Sequence, residues 1–286
     1  MAALARLVAL LDVEAIEVDL FRGANSDPGW IRVYGGQVVA QALAAAQRTV
    51  PEARPVHSLH SYFLRPGQPQ VPILYRVERE RDGTSFSTRR VQAIQHGRPI
   101  FSMTASFQAV EEGFTHQAPM PEAPAPETLL SERALEEANR DRTPEPWKTL
   151  WARRERPFDF RPVAPSDPFA PSPRPARAQH WFRTDGEVAD DPGLAACLLA
   201  YASDMTLLDT CLLPHAVGWT DPKLQAASLD HAIWFHAPYR PAEFHLIDQA
   251  SHAAGGGRGL NEGRIFARDG RLVASVVQEG LIRYRA

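Results

Sequence analysis

Cysteine is scarce in this 286-residue sequence: Cys197 and Cys211 alone are too few for a disulfide scaffold and badly placed for a four-ligand zinc site. That usage suits a reducing cytoplasm and implies no export. Net positive charge is also lacking. With 31 Lys plus Arg against 34 Asp plus Glu, the net charge of −3 offers no overall field for nucleic acid or an anionic membrane. The amino terminus has Arg6 inside its apolar run and no basic lead-in, so it reads as an amphipathic helix instead of a signal peptide. No stretch elsewhere reads as a bilayer span. Neither a Gly-x-Ser-x-Gly elbow nor a His-Glu-x-x-His helix occurs, which argues against a serine-hydrolase triad and a zincin site. What remains is a globular composition, 44% hydrophobic and 23% charged, sufficient for one large or two moderate domains.

Proline divides the chain. Of 25 prolines, 13 lie between Pro119 and Pro175, where they interrupt ladders and long helices. The segment 113–176 therefore reads as a linker strap between an amino-terminal unit, 1–112, and a carboxy-terminal unit, 177–286. Within the strap, Leu129, Leu130 and Leu135 sit among good helix formers, and Trp147, Trp151, Phe158 and Phe160 are expected to tuck against the two units. On either side the same order of elements recurs. Gly97-Arg-Pro-Ile-Phe-Ser102 matches Gly270-Arg-Leu-Val-Ala-Ser275 at a shift of 173, and Ser58-Leu59 matches Ser228-Leu229. Each unit has a long helix, one from Gly36 to Arg48 and one that begins at Asp191 as N-cap and ends before Pro214. The pattern predicts a duplicated α+β unit, a long helix packed on an antiparallel sheet.

Three polar residues interrupt apolar rows in the second unit. Asp204 falls inside the apolar stripe of the second helix, with Ala200 and Tyr201 on one side and Leu207 and Leu208 on the other. Gln278 is the one polar member of the row Leu272, Ala274, Val276, Gln278, Gly280 and Ile282 on the last strand. Ser228 begins the aromatic and branched run Ser228-Leu-Asp-His-Ala-Ile-Trp-Phe-His236, which reads as a strand. Taken singly, each has an ordinary explanation as a cap, a turn or a structural hydrogen bond. Burying all three is costly unless they satisfy one another, so they are expected to meet. A carboxylate with a hydroxyl and an amide can hold one water and take its proton as it attacks an activated carbonyl.

These residues lie in motifs that resemble the type II acyl-coenzyme A thioesterases. The similarity runs through Leu20-Phe-Arg-Gly, Gly29-Trp-Ile-Arg-Val-Tyr-Gly-Gly-Gln-Val38 and Val56-His-Ser-Leu-His-Ser-Tyr-Phe-Leu-Arg-Pro-Gly67 in the first half. It continues in the second through Leu199-Ala-Tyr-Ala-Ser-Asp204, the run from Ser228 to His236, and Asp269 to Arg283. The resemblance implies a double hotdog: two tandem units, each a long helix wrapped by an antiparallel sheet, with the sheets joined. It implies hydrolysis of acyl-coenzyme A to free acid and coenzyme A, with acyl-coenzyme A as the partner and coenzyme A entering only as part of the substrate. No cofactor, metal, nucleic acid or membrane is expected, the location is expected to be cytoplasmic, and a homo-oligomer is expected. By resemblance the family's water-binding trio maps to Asp204, Gln278 and Ser228, the last a position that is threonine in some members. The first half lacks an acid in its helix and has Ala105 where the repeat places Gln278, so one site per chain follows. Its contribution is assigned to the helix entry at Tyr34-Gly-Gly-Gln37, where the amide of Gly36 or Gln37 could stabilise the thioester oxygen. The same glycines could equally serve close packing alone.

Other signals read as structural. His57, His60, His231 and His236 are taken as packing residues, and Gly255-Gly-Gly-Arg-Gly259 as a hairpin loop. Arg65, Arg89, Arg90 and Arg264 are cations without an assigned role. Two alternatives stay open: a hotdog hydratase or dehydratase using the adjacent pair Asp230-His231, and a non-catalytic acyl-coenzyme A binding module.

Overall fold

A computed structural model describes residues 2–26 and 31–285. Gly29 and Trp30 of the first-half motif lie outside the described residues. Chain order runs α1 (Ala2–Leu11), β1 (Glu14–Glu17), β2 (Leu20–Gly23), α2 (Gly35–Gln47), β3 (Val56–Phe63), β4 (Ile73–Asp82), β5 (Phe86–Gln95) and β6 (Arg98–Gln108) through the first half. The second half follows with α3 (Glu132–Ala138), α4 (Trp147–Arg153), β7 (Phe158–Pro162), β8 (Arg177–Thr184), α5 (Pro192–Ser203), β9 (Leu224–Ser228), β10 (Asp230–Phe235), β11 (His245–Gly255), β12 (Arg258–Ala267) and β13 (Leu272–Tyr284).

The strands form one antiparallel sheet in the order β1-β2-β4-β5-β6-β3-β10-β13-β12-β11-β8-β7. Read outward from the central pair, β3-β6-β5-β4-β2-β1 on one side repeats as β10-β13-β12-β11-β8-β7 on the other. The expected duplication is thus present in the topology, and the fold is the double hotdog. Gly97 and Gly270, which anchor the repeat in sequence, both take positive φ, 70° and 89°, in the equivalent turns before β6 and β13. The halves join through β3 and β10, where Leu59 faces Ile233 and Ser61 faces His231.

Helices α2 and α5 pack on each other inside the curved sheet. Every residue of α2 from Gly36 to Leu43 is buried. Its two polar members in that stretch are satisfied: Gln37 bonds Ser26, Ala24 and Asn25, and Gln41 receives the Tyr75 hydroxyl and donates to the carbonyls of Leu10 and Ala24. Helix α5 starts where the sequence predicts, with the Asp191 carboxylate accepting from the amides of Gly193 and Leu194. It ends earlier than predicted. The helix stops at Ser203, and a separate 3-10 helix covers Leu208–His215. Asp204 is therefore the C-cap of α5 and does not lie in mid-helix. The apolar spacing that suggested one helix continues through Leu207, Leu208 and Cys211 because both segments face the core. By length and composition the run Pro192–His215 also passes for a membrane span, but its most apolar window is 72% buried inside the protein.

The segment 113–176 carries structure of its own. It contains β7, an edge strand paired with β8. Before that strand the chain is docked as a strap. Trp181 Nε1 donates to the Pro124 carbonyl, Gln117 bonds Gly270 and Leu272, and Met120, Ala123 and Leu129 pack against Trp181, Phe244 and Leu246.

Candidate active site

Strand β13 is long enough to change partners along its length, pairing with β10 from Ala274 to Val277 and with β9 from Gly280 to Tyr284. In sequence, residues 228–236 read as one strand. The structure breaks it at Leu229, whose amide donates to the Glu279 carbonyl, and Ser228 becomes the last residue of β9, opposite Gly280. Gln278, fully buried, lies at this break on the core face of β13. Close approach is enforced by Gly280. A Cβ there would meet Leu208 Cδ1 at 2.0 Å, so only glycine lets the chain after α5 press onto the sheet.

The three sequence-predicted side chains meet. Ser228 Oγ donates to Asp204 Oδ1 at 3.3 Å, and Gln278 Nε2 donates to the same oxygen at 2.5 Å. The other carboxylate oxygen faces the start of α2. A Cβ on Gly35 would lie 2.8 Å from Asp204 Oδ2, and the Gly36 amide donates to the carboxylate. Gly36, named from sequence as an oxyanion donor, thus has its N–H committed to Asp204 in this structure. The side chain of Gln37 is tied to Ala24, Asn25 and Ser26, so only its backbone amide is relevant to the site.

Asp204, Ser228 and Gly35 line a cavity of about 1810 Å³ bounded by both halves and the strap. The carboxylate is reached through that cavity but is surrounded by protein. Burial raises its pKa to about 6, against the lowering effect of hydrogen bonds from Gln278, Gly36 and Ser228 and of the Arg32 charge. Desolvation wins because the donors share one carboxylate while water is displaced from nearly all of it. A second acid, Asp209, lines the same cavity. Burial pushes its pKa up to about 7 even though Trp219 Nε1 donates to it at 2.6 Å.

Several participants escaped the sequence reading. His231 is fully buried behind Gln278, its Nδ1 3.1 Å from Gln278 Nε2 and its Nε2 2.8 Å from Ser203 Oγ. Arg32 donates to the Ala226 carbonyl while its charge acts on Asp204. Tyr34 ties the start of α2 to the Tyr201 carbonyl. Arg89, a cation without an assigned role in the sequence, is 1% exposed and bonded to Thr49 and Asp82; it faces Ala105, the position where the repeat places Gln278 in the second half. Asp230 accepts from the Glu279 amide, whereas His231 bonds Gln278 and Ser203, so the two do not form the acid and imidazole pair of the hydratase alternative. Among the described residues, no three His, Cys, Asp or Glu side chains gather as metal ligands.

A double hotdog with one carboxylate, one hydroxyl and one amide converging beneath a cavity defines a hydrolase of the thioesterase type. Comparison with known proteins gives the family. A family model described as Acyl-CoA thioesterase N-terminal domain matches residues 25–108, and one described as Acyl-CoA thioesterase matches 151–281. The chain is 45% identical to Acyl-CoA thioesterase 2 of Haemophilus influenzae over 97% of both proteins. It is 41% identical to Acyl-coenzyme A thioesterase 8 of Homo sapiens over 98% of this chain and 89% of that one. The crystal structure of acyl-CoA thioesterase II TesB2 from Mycobacterium marinum superposes with a TM-score of 0.80 at 44% identity, covering 98% and 99% of the two chains. The chain belongs to the type II acyl-coenzyme A thioesterase family and is a thioester hydrolase.

Proposed function

We propose that the protein hydrolyses acyl-coenzyme A thioesters to free acid and coenzyme A by general-base catalysis at Asp204. The observation that carries this reading is the convergence of Ser228 Oγ and Gln278 Nε2 on one oxygen of Asp204, from β9, β13 and the end of α5. A water on this cluster donates one proton to the carboxylate and is oriented by the hydroxyl and the amide, so that a lone pair points at the thioester carbon. As the water attacks, Asp204 takes its proton and the carbonyl oxygen gains charge. The first turn of α2 supplies N–H groups and the positive end of a buried helix for that charge. Gln37 is the proposed donor; Gly36 would serve only after exchanging its bond to Asp204. Collapse of the tetrahedral adduct breaks the carbon–sulfur bond and releases coenzyme A thiolate, with the water's oxygen retained in the acid.

Such chemistry uses only water and the chain's own side chains. Two free buried cysteines fit the cytoplasmic location read from composition. The test is a thiol-release assay on acyl-coenzyme A esters of short, medium and long chain. Asp204→Asn should retain the fold and lose about 10²–10⁴-fold in kcat, the range for a positioned general base. An Asn variant as fast as the parent would overturn the assignment.

A further inference from the structure

Gln278 has two amide protons, and both are already used within the chain. One goes to Asp204 Oδ1 at 2.5 Å and the other to His231 Nδ1 at 3.1 Å. Its Oε1 is buried and has no hydrogen-bond partner among the described residues. An orphaned carbonyl oxygen on the amide that touches the catalytic carboxylate is costly unless something donates to it.

The direction of every bond in this chain is fixed from its far end. Ser203 Oγ lies 3.1 Å from the Ala200 carbonyl, which can only accept, so the serine proton goes there. Its oxygen then accepts from His231 Nε2–H at 2.8 Å. A neutral imidazole with its proton on Nε2 presents a bare Nδ1, and that atom accepts from Gln278. Burial holds His231 neutral, with its pKa lowered to about 4. At the near end the Asp204 carboxylate likewise only accepts. With acceptors on both sides, the atom of Gln278 between them must be nitrogen, and Oε1 is turned to the remaining direction.

We propose that His231 is a positioning residue for hydrolysis: held in one tautomer by Ser203, it locks the Gln278 amide so that Oε1, and not Nε2, is the atom offered to the nucleophilic water. The proposal rests on the general-base reading of the same site. It gives the water two acceptors for its two protons, Asp204 and Gln278 Oε1, while the one Ser228 hydroxyl proton stays on Asp204 Oδ1. With both protons directed to these acceptors, a lone pair is left for the thioester carbon. Without His231 the amide is free to turn about its last torsion, and its nitrogen would then donate to the water and occupy the lone pair needed for attack.

The experiment is steady-state thiol release and thermal melting for His231→Leu, His231→Asn, Ser203→Ala, Gln278→Ala and the double variant His231→Leu with Gln278→Ala. Leucine removes the acceptor; asparagine restores one, because its Oδ1 stands the same two bonds from Cβ as Nδ1. We expect His231→Leu to lower kcat by about 10–100-fold with little change in KM, the split for an interaction expressed in the transition state. His231→Asn should recover most of that loss, and Ser203→Ala, which frees the tautomer, should lose about fivefold, one neutral hydrogen bond's worth. In the Gln278→Ala background, His231→Leu should cost nothing further, since its effect passes through the missing amide. An equal additional loss in that background overturns the proposal, as does full activity in a folded His231→Leu. If His231→Leu shows no melting transition, the asparagine and Ser203→Ala variants decide: an asparagine variant as slow as Gln278→Ala, or an unaffected Ser203→Ala, overturns it. Asp204→Asn separates the two levels. An active Asp204→Asn removes the general-base reading, whereas an inactive one with additive His231 and Gln278 effects removes only the positioning role.

Discussion

The Tyr34 hydroxyl donates to the Tyr201 carbonyl at 2.9 Å, and the two rings meet edge to face at 4.9 Å between centroids. This contact fastens the first residues of one half's helix to the last turn of the other's. It brings Gly35 and Gly36 against Asp204, so a donor surface from the first half and an acid from the second share a single site. Burial keeps the phenol protonated by raising its pKa well above the usual value.

Tyr34→Phe keeps the ring contact and removes the bond. We expect about 1 kcal/mol of stability to be lost, the net worth of one neutral hydrogen bond, and kcat to fall by about fivefold as the helix entry loosens. Chemical denaturation and thiol release measure the two effects. Unaltered kcat with lowered stability would show that the contact serves the fold alone.

Gly35→Ala is expected to act on the carboxylate directly. The added methyl would sit 2.8 Å from Asp204 Oδ2 and 3.1 Å from Phe63 Cζ, so either α2 or the acid must shift. A displacement of about 1 Å at a reacting group costs on the order of 10²-fold in rate. The variant should melt near the parent temperature while kcat collapses, which steady-state kinetics and calorimetry together would establish.

As the proposed general base Asp204 must be ionised, so kcat/KM should fall as pH falls through about 6, in place of the ordinary aspartate range near 4. The same shift has a stability counterpart of opposite sense. Between about pH 4 and 6 the native state binds more protons at Asp204 than the unfolded chain does, so native stability should decrease as pH rises across that window. The full effect is on the order of 3 kcal/mol. Asp209 adds a similar slope, with its pKa at about 7, but it is present in both proteins when the parent is compared with Asp204→Asn. The difference between their denaturation curves against pH should show the Asp204 slope and vanish below about pH 4. Identical slopes would contradict a raised pKa for this acid.

Asp204, Ser228 and Gln278 were legible because each breaks an apolar row, and buried polar groups need partners wherever they fall. The duplicated topology was legible through Gly97 and Gly270, whose positive φ is required by matching turns. His231 was not. On β10 it occupies a core position among apolar neighbours, and nothing in its spacing distinguishes a packing histidine from one that holds Gln278. The end of α5 was misread because apolar spacing alone does not separate an α-helix from a following 3-10 turn when both face inward. Strand β7 was hidden by its composition. Phe158 and Phe160 point inward between Pro157 and Pro162, and an edge strand tolerates prolines that would break a central one. Tyr34 and Arg32 contact the site only through the meeting of two halves distant in sequence, which no local pattern encodes.

The division of the proposed site between the two halves has a further consequence for how this enzyme can change. Val33, Val38, Phe63 and Ile100 of the first half form one wall of the cavity, whereas the acid, hydroxyl and amide come from the second. In a dimer of identical single units, any alteration of the wall would also alter the cutting machinery's own repeat. Here the two are inherited separately within one polypeptide, so the shape offered to a ligand can drift while the bond-breaking apparatus stays untouched.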